Sequence, residues 1–259
     1  MENNVQMIKN LSKQVTSEVN GKSKNEIVSH DDKTKYYDKS STEYTINIAV
    51  VGDTNTGKSS LIQRFLNKKY DITKMQPTVV DYYNTVVQYD DEKRLKVGIW
   101  DTSGKERTIY NTQSYIRTCK GFILVFDLYN IKTLYDTKNW LDMITSEFKR
   151  ESYKIPIVLI GNKEDKQDTL SSVYLTQFAP KLITEKQIDT FFDEYEDKNQ
   201  VIECIVYYEC SAVTNKNVDD AFYYLLSYIA KNKEKMKLPQ SIASLSSSSA
   251  SVYSSSQNE

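Results

Sequence analysis

The chain has 259 residues, 39% of them apolar, and its 34 basic side chains balance 35 acidic ones to a net charge of −1. That apolar share is modest for a fully packed protein, so part of the length is expected outside a folded core. A near-zero charge and a pI of 6.0 supply no field to draw in polyanions, which excludes nucleic acid as an expected partner.

Residues 1–43 are polar and charge-mixed and read as a flexible N-terminal extension. Within them Val5, Ile8, Leu11, Val15 and Val19 recur at helical spacing, enough for a nascent amphipathic helix. A strand is predicted over 45–51 (TINIAVV), then a Gly-containing turn and a helix over 60–67. NTVVQYD (84–90) and LKVGIWD (95–101), separated by DEKR, read as a hairpin. GFILVFD (121–127) and IPIVLIG (155–161) are near-continuous apolar runs of the buried-strand kind, and VIECIVYYEC (201–210) is a sixth strand. Helices fit at 132–150, 184–196 and 216–232. Residues 234–259 run into SLSSSSASVYSSSQNE, too polar and repetitive to bury a core, and read as a disordered Ser-rich tail. The alternation between predicts one α/β domain over 44–233, a six-stranded mostly parallel sheet with helices on both faces.

Cys119, Cys204 and Cys210 are odd in number and far apart, as expected of reduced, buried thiols in a cytoplasmic protein. A lone histidine, His30, rules out a His dyad or a His-based metal site. No run approaches a membrane span, and the start MENNVQMIKN lacks the basic-then-apolar order of a secretory signal.

The strongest motif follows the first strand. Gly52-Asp53-Thr54-Asn55-Thr56-Gly57-Lys58-Ser59 is G-x-x-x-x-G-K-S between a strand and a helix, with Ser60 next in that helix. Glycines let the backbone curl so that successive N–H groups face phosphate oxygens at a helix N-terminus. Lys58 is then expected on the β and γ phosphates and the Ser59 hydroxyl on magnesium. The chain has only seven glycines, and Gly52, Gly57, Gly104 and Gly161 are all expected at turns facing the nucleotide.

A phosphate loop does not distinguish bases. Asn162-Lys163-Glu164-Asp165 follows a buried strand, where ligands gather in open α/β sheets. The Asp165 carboxylate can accept from guanine N1–H and the exocyclic amine, a donor pair that adenine lacks. The mismatch with adenine is worth about 1–3 kcal/mol. Lys163 is expected to lay its stem along the base and Asn162 to tie this loop to the phosphate loop. Ser211 and Ala212, in Glu209-Cys210-Ser211-Ala212, would close the pocket with backbone N–H groups on the guanine oxygen.

These segments, in this order, resemble the Ras superfamily of small GTPases. The resemblance implies GTP and GDP as ligands, Mg2+ as cofactor, GTP hydrolysis, and effector, exchange and activating proteins as partners. Pro77-Thr78 is similar to the first switch, whose threonine binds magnesium, and Asp101-Thr102-Ser103-Gly104 with Lys105-Glu106-Arg107 to the second. By that resemblance Asp101 holds magnesium through water and Gly104 donates its N–H to the γ phosphate. Both switches would order around γ phosphate and relax after its loss. GDTNTGKS, WDTSGKER and SYIRTCKGFILVFD look most like the Rab branch, whereas PTVVDYY and the long stretch from NKED to ECSA look more like Rho. The excess in that stretch is expected to form a surface helix near 170–180.

Three departures qualify the resemblance. Lys105 stands where the family carries the glutamine that orients the attacking water; an ammonium only donates, so slow hydrolysis is expected. Thr54 and Asn55 would also crowd the γ phosphate. The alternative left open is a GTP-loaded binding or scaffold module that barely hydrolyses. Secondly, the last cysteine is Cys210, so no C-terminal prenylation cysteine is expected, and no glycine follows Met1 for myristoylation. The cluster Lys231, Lys233, Lys235 and Lys237 then implies only weak membrane contact, and a monomer is expected. Lastly Tyr70, the candidate to stack on the base, is spaced one residue too far from Thr78.

Overall fold

The computed structural model describes residues 42–67, 80–88, 94–102, 114–166, 183–196 and 201–236. Strands β1 (Thr42–Gly52), β2 (Val80–Gln88), β3 (Arg94–Thr102), β4 (Cys119–Asp127), β5 (Ile155–Asn162) and β6 (Ile202–Glu209) form one sheet in the order β2-β3-β1-β4-β5-β6. Only β2–β3 is antiparallel. The five residues that join those two strands suffice for a hairpin, whereas a parallel return needs a crossover of a dozen or more. The helices are α1 (Lys58–Asn67), α2 (Ile131–Phe148), α3 (Glu185–Glu196) and α4 (Val218–Lys231).

The pattern that identified each element also decides what it buries. In α1, Lys58, Leu61, Ile62 and Phe65 fall at i, i+3, i+4 and i+7 and form the buried stripe. Every residue of β5 and all but one of β4 are buried, which explains their unbroken apolar runs: both faces carry helices. The edge strand β2 is mostly exposed or half-buried, and its sequence is correspondingly polar. The predicted helix at 216–232 begins instead at Val218, because Asn215 (φ 66°) and Asn217 (φ 55°) adopt the left-handed conformation that asparagine tolerates and a helix cannot.

Strand order reverses at β1, so the C-terminal ends of the parallel strands share one edge, where such sheets hold ligands. Register sets those ends side by side: Val50 pairs with Asp101, Gly52 with Val125, Asp127 with Asn162, and Gly161 with Glu209. Gly161 corrects one expectation. It lies inside β5, and a Cβ there would meet Leu128 Cδ2 at 2.7 Å and the Tyr207 hydroxyl at 2.8 Å, so close packing, and not a nucleotide-facing turn, is what requires it.

Cys119 and Cys210 are buried and Cys204 half-buried, and burial pushes the first two thiols well above their ordinary range. No described helix is long and apolar enough to cross a membrane. The N-terminal segment, Tyr70, the stretch near 170–180 and the serine tail lie outside the described residues.

Helices α1 and α4 lock together where Phe65 and Phe222 stack with centroids 4.3 Å apart, both wholly buried. Phe222→Ala should cost about 3–5 kcal/mol by lost burial and the cavity left behind. Urea unfolding would register this as a lower midpoint at unchanged slope; a midpoint within error of the parent would contradict the packing.

Candidate functional site

The turn after β1 has the backbone its sequence demands. Gly52 takes φ 144° and Gly57 φ 93°, and a Cβ on either would strike Val125 O at 2.1 Å or Asn162 Nδ2 at 2.2 Å. Asn55 between them is exposed and left-handed at φ 64°. The loop braces itself: Thr54 N donates to Asp53 Oδ1 (2.6 Å), Thr56 Oγ1 to Asp53 O (2.9 Å), and Lys58 Nζ to Asp53 O (2.8 Å). Leu61 N closes the first helical turn on Gly57 O at 3.0 Å, so α1 starts directly at the end of the loop and turns its N-terminus toward it.

Two charges are buried here. Lys58 is 5% exposed, and its burial pulls the ammonium down to about 8 although Asp101 and Asp53 pull it back up. Asp101, wholly buried at the end of β3, lies beside Thr102, whose hydroxyl donates to Val50 O at 3.0 Å and locks the ends of β1 and β3 together. A curled backbone that only glycine can make, a buried ammonium, helix N-terminal amides and a buried carboxylate form a donor set that fits a phosphate chain carrying a hard divalent cation.

The second half of the site lies at the ends of β5 and β6. Asn162, 2% exposed, donates from Nδ2 to Thr56 O at 2.7 Å and so joins the loop after β5 to the turn after β1, as its place in the sequence leads one to expect. Lys163 is left-handed (φ 70°), and its Nζ lies 2.8 Å from Asp127 Oδ2, with Lys166 Nζ at 3.2 Å from the same oxygen. Burial alone would raise the Asp127 carboxyl, but the hydrogen bonds from Lys163 and the Tyr129 amide, with the charges of Lys163 and Lys166, hold it below the ordinary range. Ser211 Oγ donates to Asp165 Oδ1 at 2.6 Å and accepts from Val213 N (3.1 Å) and Thr214 N (3.0 Å). That hydroxyl orients the carboxylate and folds the loop after β6 in one stroke. Glu164 N→Cys210 O (3.1 Å) and Cys210 N→Gly161 O (2.8 Å) bind the two loops by their backbones.

The structure therefore brings together Gly52 to Ser60, Asp101, Asn162, Lys163, Asp165, Ser211 and Ala212. Thr78, Gly104 and Lys105 lie outside the described residues. Three contributors escaped sequence reasoning. Asp127 carried a signal, being a carboxylate at the end of a buried strand, in register with Asn162. Arg64 carried none: its Nε and Nη2 donate to Ala212 O and Val213 O, both at 2.7 Å. The third is an aromatic stack on the β2–β3 pair, where Tyr82, 40% exposed, meets Trp100 (centroids 4.4 Å), which meets Tyr115 (4.9 Å).

Comparison with known proteins agrees with this geometry. The Ras family model matches residues 47–231. The GTP-binding protein ypt2 of Schizosaccharomyces pombe is 31% identical over 200 residues, covering 77% of this chain and 86% of that protein. Ras-related protein Rab-27B of Rattus norvegicus is 29% identical, covering 74% and 83%. The GTP-binding protein ypt4 of S. pombe is 28% identical, covering 74% of each. Members of this family bind GTP and GDP with Mg2+. With its fold and the loops after β1, β5 and β6 in this order, and with Rab and Ypt proteins as its relatives, the chain belongs to the Ras family of small GTPases and is Rab-like.

Proposed function

We propose that this chain is a GTP/GDP switch of signalling or vesicle trafficking whose hydrolysis is slow, built on a G domain spanning 44–233. The observation that carries the reading is the Asp165 carboxylate, held by Ser211 Oγ at 2.6 Å beside an Asn162 that grips the phosphate loop. In this role Asp53 to Ser60 cradle the phosphates, Lys58 neutralises them, and Asp165 reads the guanine edge. The Ser211 amide is already committed to Lys216 O (3.2 Å), so the Ala212 amide is the one that faces the guanine oxygen. Magnesium, when bound, neutralises charge across the β and γ phosphates. Ser59, Thr78 and, through water, Asp101 would hold it, with Gly104 on the γ phosphate.

Lys105 limits the chemistry, since its ammonium can stabilise developing charge but cannot accept a hydrogen from the attacking water. That residue favours a second reading, a GTP-loaded binding module. The intact set of Ser59, Thr78, Asp101 and Gly104 favours the switch. Either way the output is a protein contact. The exposed Tyr82 stack lies on the two strands that lead out of the first switch and into the second, so an effector seated there would sense both. Exchange and activating proteins would set the cycle of a monomeric, cytoplasmic protein. Lys231, Lys233 and Lys235 are exposed and, with Lys237, supply only weak contact with acidic membranes.

Three outcomes test this reading. Asp165→Ala should weaken GDP binding by tenfold or more, about 1–3 kcal/mol, with ADP binding unchanged; equal losses for both nucleotides in competition titrations would contradict base reading. Single-turnover GTP hydrolysis should quicken about tenfold or more in Lys105→Gln, and an unaltered rate would sink the role given to Lys105. Phosphate favours the charged form of Lys58, whose own value is about 8, so nucleotide binding takes up a proton above that pH. GDP affinity should consequently fall as pH rises through about 8 and level off below it. A flat titration across that range would contradict the assignment.

A further inference from the structure

Arg64 lies two turns into α1, outside the phosphate-loop motif, yet it reaches the far loop of the site. Its guanidinium donates from Nε to Ala212 O and from Nη2 to Val213 O, each at 2.7 Å, across 148 and 149 residues of sequence. Lysine, a point charge, cannot span two neighbouring carbonyls in this way, whereas the planar fork can. The same helix begins at Lys58 and Ser59, so a rigid rod carries the phosphate loop at one end and the grip on the 211–214 loop further along.

The gripped loop is held partly from within. Ser211 Oγ gathers the amides of Val213 and Thr214, and Ser211 N donates to Lys216 O at 3.2 Å, but these bonds are internal to the loop. Val213 is 48% exposed and contributes little packing. The loop is tied to the body of the protein by the β6 strand end, the Asp165 carboxylate, the buried Ala212 and the Lys216–Glu164 ion pair, and the Arg64 fork adds its link to α1. The fork draws the Ala212 and Val213 carbonyls toward α1, which fixes the two peptide planes that directly follow the one carrying the Ala212 amide.

We infer that Arg64 is a positioning residue that couples the phosphate loop to the base-reading loop and thereby sets how long guanine nucleotide stays bound. The coupling rests on the guanine-nucleotide reading above. It has a regulatory consequence: any partner that shifts or rotates α1 loosens the phosphate contacts and the base contacts together, so release is cooperative and not stepwise.

The test is stopped-flow kinetics with fluorescent GDP on the full chain, alongside hydrogen exchange of individual amides. Arg64→Ala should release GDP about tenfold faster or more, because two charge-assisted bonds are lost, while association changes by less than about twofold. The Val213 and Thr214 amides should exchange faster in the same variant. Arg64→Lys, which keeps the charge and the helix propensity, should lie between the two in release rate, and it keeps the test readable if the alanine variant folds poorly. Phe148→Leu, a core change at the far end of α2, serves as the control for lost stability alone and should leave release unaltered. Unchanged release in both Arg64 variants, or equal acceleration in Phe148→Leu, would overturn the role of Arg64. Failure of the parent chain to bind GDP at all would instead overturn the guanine-nucleotide reading and the coupling with it.

Discussion

The site depends on one side-chain hydrogen bond. Asn162 Nδ2 to Thr56 O, 2.7 Å long and sealed from solvent, joins the end of β5 to the turn after β1 although β4 runs between those strands. It forms only because Gly57 has no side chain, since a Cβ there would lie 2.2 Å from the same nitrogen. Losing either partner would strand a buried polar group, at about 1–3 kcal/mol. The parallel registers Gly52↔Val125 and Asp127↔Asn162 bring the two chain segments level, and the amide then spans the gap. The loop proposed to meet phosphate and the loop proposed to meet the base are in this way one structural unit.

Around that bond the protein tolerates charges that a core would reject. Lys58 and Asp101 are almost wholly withdrawn from water, and Asp127 serves two lysines at once. Such groups cost stability unless each is hydrogen-bonded or paired. The cost is carried by the uninterrupted apolar strands β4 and β5 beneath them and by the helices on both faces. Charges placed in this way would gain most from a highly charged ligand, which is the physical ground for the proposed site at this edge of the sheet.

The fold was legible because its signals are local. Period-two and near-continuous apolar runs gave the six strands, helical spacing gave the four helices, and G-x-x-x-x-G-K-S with N-K-x-D gave two of the loops. Element ends were less legible: β1 starts at Thr42 and β2 at Val80, three and four residues before the expected 45 and 84, and the late start of α4 traces to the left-handed Asn215 and Asn217, which periodicity does not report. Gly161 was misread because a glycine required by packing looks in sequence like a glycine required by a turn. Arg64, Asp127 and the aromatic stack of Tyr82, Trp100 and Tyr115 stayed hidden for a different reason: each matters through a partner more than a dozen residues away, and nothing in its own neighbourhood names that partner. The link from Asn162 to the phosphate loop was legible in advance only because the chemistry of the motif demands it.

Membership of the Ras family gives the architecture and the ligand class. The most direct test of the whole account is to denature freshly purified protein and identify the nucleotide it releases by chromatography. Guanine nucleotide in stoichiometric amount is the result predicted by a phosphate loop clamped to an Asp165 that reads the base. Adenine nucleotide, or none even after incubation with GTP and magnesium, would contradict it.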